Sequence, residues 1–184
     1  MSFLSFAWDW LKQPQQWHGP DGIPIRILEQ LGYTALSLVI AALIAIPVGI
    51  LIGHTGRGAL FAVNLANAGR AIPTLGLLVL LAVTLGFSPL AWLVPLVLLA
   101  IPPILVNAYE GVAGVDPGLK DAARGMGMTP WQQIRKVEVP VAMPLIVLGL
   151  RTGAIFVVAT ATIAAYIGLG GLGRYIIDGL ATEN

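Results

Sequence analysis

Few residues in this chain could do covalent or metal chemistry. Cysteine is absent, and the two histidines, His18 and His54, lie far apart in sequence, so neither begins a metal-ligand cluster. The chain has no HExxH zinc motif, no GxSxG nucleophile motif and no GxxxxGK[ST] phosphate loop. We therefore expect no catalytic residue, no metal site and no bound cofactor, and any ATP chemistry would belong to a partner.

The composition indicates a protein that cannot cover a water-facing surface. Of 184 residues, 57% are hydrophobic and 10% are charged, and the mean hydropathy is +0.86. Soluble domains carry about 25% charged residues. The net charge of +1 lacks the excess of positive charge that is typical of proteins that bind nucleic acid. We expect an all-α, polytopic membrane protein, in which the 22 glycines and 13 prolines are also acceptable.

The apolar stretches define the expected spans, each of which needs about 20 residues. Four segments are long enough: 31–52, 61–85, 89–109 and 141–167. We expect Pro47 to kink the first without breaking it, and the second to be one helix bent near Pro73. Pro102 and Pro103 should break the third near its end.

The first 29 residues differ from the rest of the chain, which we assign from residue 30 to residue 184 as a transmembrane domain. They lack the basic start and the small-residue cleavage site of a signal peptide. Trp8, Trp10 and Trp17 suit a helix that lies at the membrane interface. A poorly ordered terminus is the alternative.

The distribution of Lys and Arg sets the expected orientation. The long polar connection 110–140 holds four basic residues, Lys120, Arg124, Arg135 and Lys136, whereas the turn 86–89 holds none. The positive-inside rule places the connection in the cytoplasm, together with Arg57. The turn 86–89, the N-terminus and the segment 168–178 then lie outside.

The cytoplasmic connection has the pattern of two short helices. Asp116 is an N-cap candidate and Pro117 suits the first helical position. The helix then runs to Met126, and four residues share one face: Leu119, Ala122, Ala123 and Met126. Gly127 is a natural stop with a positive φ. A second helix begins with a capping box at Thr129 and ends before Pro140.

The amphipathic helix 117–126 could dock into a groove of another protein or lie on the lipid surface. Both fit its composition. Ala122 and Ala123 favour docking, because small side chains allow a close backbone approach.

The same segment resembles the EAA loop of ABC importer permeases. That pattern is EAA, three residues, Gly, nine residues, then Ile-x-Leu-Pro; this chain has DAA at 121–123, Gly127, and VEVP at 137–140. Asp121 replaces Glu, and Val137 and Val139 replace Ile and Leu. Further segments resemble the osmoprotectant branch of these permeases: 70–75, 107–111, 115–117, 122–128 and 163–173.

The resemblance implies a type I ABC importer with the MetI-like fold, in a bacterial cytoplasmic membrane. Its substrate would be a compatible solute such as glycine betaine, carnitine, choline or proline betaine. Two permease subunits, the same or homologous, would act with two cytoplasmic ATPases that use ATP and Mg²⁺ and with an external binding protein. The residues implied in ATPase coupling are Asp121, Ala122, Ala123, Gly127, Val137, Val139 and Pro140.

Two alternatives remain at this point. Methionine and amino-acid importer permeases share the EAA loop, and a passive channel would need no ATPase but would lack the EAA spacing. Family members usually have one more spanning helix after the Gly-rich segment 168–173. Either the chain is shortened at its C-terminus or this helix is absent, and we expect shortening.

Polar and aromatic side chains within the spans are the candidates for a translocation pathway: Asn64, Asn67, Tyr109, Arg151, Phe156 and Tyr166. Aromatic faces favour a quaternary ammonium group. Arg151 could line the cavity, pair with Glu110 or Glu138, or extend its side chain to the cytoplasmic interface. For Arg70, extension to the interface is the expected role. Packing roles for the aromatics and helix–helix hydrogen bonds for the asparagines are the alternatives.

Overall fold

The structure is a computed structural model that describes residues 3–86 and 88–182. Its regular elements in this part of the chain are helices, in this order: α1 (Phe3–Leu11), α2 (Ile23–Thr55), α3 (Ala59–Ala71), α4 (Thr74–Leu85), α5 (Pro89–Ala113), α6 (Pro117–Gly125), α7 (Pro130–Gln133), a π-turn (Ile134–Glu138), α8 (Val139–Ile163), a 3₁₀ turn (Ala164–Ile167) and α9 (Gly173–Thr182). A short 3₁₀ turn (Pro14–Gln16) lies between α1 and α2.

Small residues bring α2 against α5. Ala41, Ala45, Gly49 and Gly53 recur every four residues on one buried face of α2. A Cβ atom at Gly49 would lie 2.6 Å from the carbonyl oxygen of Leu105. The two backbones therefore approach as closely as glycine allows.

α8 packs on a neighbouring face of α5 in the same way and also contacts α2. A Cβ atom at Gly149 would lie 2.8 Å from Cβ of Asn107. Val157 and Ala161 of α8 join the main buried cluster with residues of α2 and α5. α5 is thus the central helix, while α2 and α8 leave long apolar faces exposed.

Three helical stretches are long and apolar enough to cross a membrane: Ile23–Thr55, Pro89–Ala113 and Pro130–Ile167, among the described residues. α3 and α4 are separate helices on either side of Pro73, so the prediction of one bent helix is wrong, although the break lies where the bend was expected. α2 begins at Ile23 rather than at residue 31.

Two expected helix ends are wrong. α5 continues through Pro102 and Pro103 to Ala113, because neighbouring helices hold the backbone of a buried proline in place. The loop helix that begins at Pro130 does not stop before Pro140. The intervening π-turn, in which the N–H of Val139 bonds to the carbonyl of Ile134, lets the chain pass Pro140 and enter α8.

α1 contacts the other end of the chain. The Trp10 ring packs edge-on against Tyr175 of α9, with 5.5 Å between ring centroids. Nε1 of Trp17 donates a hydrogen bond to the carbonyl of Leu11 at 2.7 Å. Trp8 and Trp17 remain exposed, and their anchoring at a membrane interface stays a prediction.

Candidate functional site

The connection between α5 and α8 forms the site that the sequence singles out. A carboxylate oxygen of Asp116 accepts a hydrogen bond from the N–H of Leu119 at 3.2 Å, and Pro117 begins α6, so the predicted N-cap is confirmed. α6 ends at Gly125, with Met126 as its C-cap. Gly127 has a φ of 76°, the left-handed conformation expected there.

The exposed face of α6 is narrower than predicted. Leu119 is 48% exposed and Met126 is 70% exposed, and Ala122 lies exposed between them. Ala123 is only 1% exposed, so the prediction that it shares this face is wrong. The chain turns back after α6, where the N–H of Met128 bonds to the carbonyl of Ala123 at 3.1 Å.

Polar contacts fix the rest of the loop. Asp121 and Arg124 pair at 3.4 Å on the exposed side of α6. The capping box at Thr129 is present, since the N–H of Thr129 donates to Oε1 of Gln132 at 2.9 Å. Nζ of Lys120 donates to the carbonyl of Val112 at 3.0 Å and so caps the end of α5.

The second half of the motif lies where the loop enters α8. Val137 and Val139 are half-buried, and Pro140 is exposed in the first turn of α8. Val139 packs against a cluster formed by α5 and α8, which includes Ala108 and Ala142. These residues therefore attach the loop to the base of the helix bundle.

The structure brings together His54 and Glu138, a pair that sequence reasoning missed. Nδ1 of His54 lies 2.8 Å from Oε2 of Glu138, which is buried. The residues are 84 positions apart. The one feature of the sequence that points to such a pair is the position of Glu138 between two valines, where a charged residue needs a partner.

This pair overturns the expected partner of Arg151. Glu138 is taken by His54, and Arg151 forms no ion pair with Glu110 or any other described residue. Its side chain is exposed on the face of α8 that also carries Ile155 and Val158. The Arg70 side chain, the other charge predicted at membrane depth, lies outside the described residues.

The pathway candidates do not converge on one place. Phe156 lines a half-open cavity of about 190 Å³ together with Asn107 and Thr152. Asn64 and Asn67 are exposed on α3, and Tyr166 is exposed in the 3₁₀ turn after α8. Tyr109 packs against the main core.

At the other end of the bundle, the Gly-rich segment 168–173 forms a hydrogen-bonded turn. Gly168 and Gly171 have φ values of 87° and 81°. The Tyr175 hydroxyl that follows donates to the carbonyl of Asp21 at 2.6 Å. Burial raises the pKa of this phenol.

Comparisons with known proteins agree with this architecture. The family model described as "Binding-protein-dependent transport system inner membrane component" matches residues 45–184. A Bacillus subtilis (strain 168) glycine betaine/carnitine/choline transport system permease protein is 37% identical over 152 residues, which cover 83% of this chain and 70% of the relative. A Listeria monocytogenes carnitine transport permease protein is 40% identical over 149 residues, covering 80% and 68%.

Among solved structures, an inward-facing conformation of the MetNI methionine ABC transporter superposes with a TM-score of 0.74. It is 29% identical, and the match covers 89% of this chain and 80% of that one. The expected all-α type I importer fold is confirmed. Permeases of this kind are not enzymes, because a separate ATPase subunit hydrolyses ATP. The chain therefore belongs to the family of binding-protein-dependent transport system inner membrane components, as a multi-pass permease subunit of an ABC importer.

Proposed function

We propose that this permease imports small quaternary-ammonium compatible solutes such as glycine betaine, carnitine and choline. The names of the relatives support this substrate class. The observation that carries the transport function is the exposed apolar face of α6, formed by Leu119, Ala122 and Met126. A capped helix with such a face, set between two long apolar helices, suits a docking element.

In this proposal α6 is the coupling helix that enters a groove of the ATPase. Ala122 makes the closest approach, and Asp121 and Gly127 flank it. Ala123 acts from inside, because its small side chain lets the loop fold tightly behind α6. Val137, Val139 and Pro140 transmit the movement into α8. ATP and Mg²⁺ are used by the ATPase, and the permease itself binds no cofactor.

The functional unit contains two permease subunits in a bacterial cytoplasmic membrane, either two copies of this chain or this chain with a homologue. Neither α3 nor α4 is long enough to span alone, so one chain has few helices with which to enclose a solute. The exposed pathway candidates would then face the second subunit, whereas Tyr109 packs in the core. An external binding protein would lie on the outer side of the pair and two ATPases on the cytoplasmic side. A functional complex with a single permease subunit would contradict this arrangement.

A transport assay separates the proposed substrate class from the second candidate, methionine, which the fold of the MetNI relative favours. The permease is reconstituted in vesicles with its ATPase and binding protein. We expect ATP-dependent uptake of labelled glycine betaine, carnitine or choline and none of methionine. Uptake of methionine alone would contradict the substrate class, and uptake without ATP would contradict the importer.

A further inference from the structure

Glu138 is a buried acid that the proposed function does not use. It is 1% exposed, and Nδ1 of His54 lies 2.8 Å from its Oε2 and 3.0 Å from its Oε1. Among the described residues, no other side chain reaches these oxygens. An imidazole that carries a proton on Nδ1 donates to this carboxyl group.

The two residues stand at the ends of different elements. His54 is in the last turn of α2, which Gly56 ends with a φ of 68°. Glu138 is the last residue of the π-turn through which the loop continues into α8. The pair therefore joins the end of α2 to the point where the loop enters the helix bundle.

Val112 of α5 lies at the same junction. A Cβ atom at Gly53 of α2 would lie 2.7 Å from Cβ of Val112, so these helices touch there. From the other side, Lys120 of α6 donates to the carbonyl of Val112 at 3.0 Å. α6 is thus tied directly to α5, whereas its connection to α2 runs through the loop. The loop end meets α2 at the His54–Glu138 pair, the polar contact, and in the cluster where Val139 packs with Ile46 and Ile50.

We propose that His54 and Glu138 are positioning residues that carry the movement of the coupling loop to α2, so that α2 and α8 move together. This proposal rests on the proposed coupling function. Breaking a buried pair leaves an unpartnered carboxyl group inside the protein, so the contact should persist during movement. Separating the exposed pair of Asp121 and Arg124 leaves both groups in water at little cost, so this pair could not hold two elements together during movement.

The first test measures the solute molecules transported per ATP hydrolysed by the permease reconstituted with its ATPase and binding protein. Glu138→Gln and His54→Gln should each lower this ratio by about tenfold, a usual size for coupling between sites. The double variant should lose no more than either single variant, because both remove the same interaction. The ATPase should remain bound throughout. The matched control is Glu110→Gln, an exposed acid near the end of α5, which should leave the ratio unchanged.

The proposal would be overturned if either single variant transported as many solute molecules per ATP as the Glu110→Gln control. It would also be overturned if the fold-losses of the two single variants multiplied in the double variant. A wild-type complex without coupled transport would instead contradict the proposed function.

A second measurement needs neither variant and so does not depend on their folding. Spin labels at Thr55→Cys and Arg135→Cys, both exposed, can be placed in a chain without native cysteine. Their separation should be the same with and without ATP. If the separation of the two labels changed on ATP binding in a complex that transports normally, the proposed role of His54 and Glu138 would be overturned. The proposed transport function would be unaffected.

Discussion

Oε2 of Glu29 accepts a hydrogen bond from the backbone N–H of Gly171 at 2.8 Å. The same oxygen accepts a hydrogen bond from Nη1 of Arg26, also at 2.8 Å, and Arg26 pairs in addition with Asp21. One carboxylate thus ties the beginning of α2 to the turn that follows α8. At the end of the bundle opposite the coupling loop, polar contacts add to apolar packing, such as that of Leu78, Ala164 and Leu169.

Replacing Glu29 should therefore loosen that end of the molecule. Glu29→Ala leaves the Gly171 N–H and the Arg26 guanidinium without their acceptor and should cost about 1–3 kcal/mol of stability. The measurement is the thermal unfolding midpoint of the purified protein in detergent. Glu29→Gln keeps an acceptor oxygen for Gly171 and should lose less. Equal midpoints for wild type and Glu29→Ala would contradict the structural role.

The contact between α2 and α5 can be tested with a single methyl group. In Gly49→Ala the new Cβ would lie 2.6 Å from the Leu105 carbonyl oxygen, so the helices must separate, at a cost of about 1–3 kcal/mol. Gly32→Ala is the matched control in the same helix, because no atom lies within 4 Å of its Cβ position. The unfolding midpoint should fall for the first variant only. A drop of similar size in both would show that helix packing is not the cause.

The turn after α6 depends on backbone conformation rather than on space. Gly127 has open space around it but a φ of 76°, which costs an alanine about 1–2 kcal/mol. Gly127→Ala should misdirect the loop and reduce the amount of ATPase that co-purifies with the permease. Gly125→Ala, also in open space but at an ordinary helical φ, should leave co-purification unchanged. If the full amount of ATPase co-purified with Gly127→Ala, the claim that the loop needs the positive φ at this position would be contradicted.

The orientation can be tested by labelling single cysteines in intact cells, since the native chain has none. Arg174→Cys should react with a membrane-impermeant reagent added outside. Lys120→Cys should react only after the membrane is opened, because the loop 110–140 is expected in the cytoplasm. Labelling of position 120 from outside would reverse the topology.

Local signals made much of the loop predictable from the sequence. The N-cap at Asp116 and the capping box at Thr129 each involve residues three positions apart. The positive φ at Gly127 follows from the same local logic. Such contacts form within one turn and need no knowledge of the rest of the fold.

Tertiary packing decided what the sequence could not predict. α2 begins at Ile23, ahead of the expected apolar span 31–52, and the charged Arg26 and Glu29 in this first part pair with each other. Ala122 and Ala123 are adjacent and chemically identical, and only the folded structure shows that the first is exposed and the second is buried. The pairing of His54 with Glu138 joins residues 84 positions apart and leaves no local pattern.

The most direct test of coupling through α6 is glycine betaine uptake per ATP hydrolysed in vesicles that contain Ala122→Asp. A carboxylate at the centre of the exposed face should weaken docking, so we expect lost uptake and reduced ATPase recovery, with the chain still inserted and folded. Ala113→Asp, an exposed alanine at the end of α5, is the control and should transport normally. Normal coupled uptake by Ala122→Asp, with the ATPase fully bound, would contradict the coupling role of α6 and favour a helix that lies on the lipid surface.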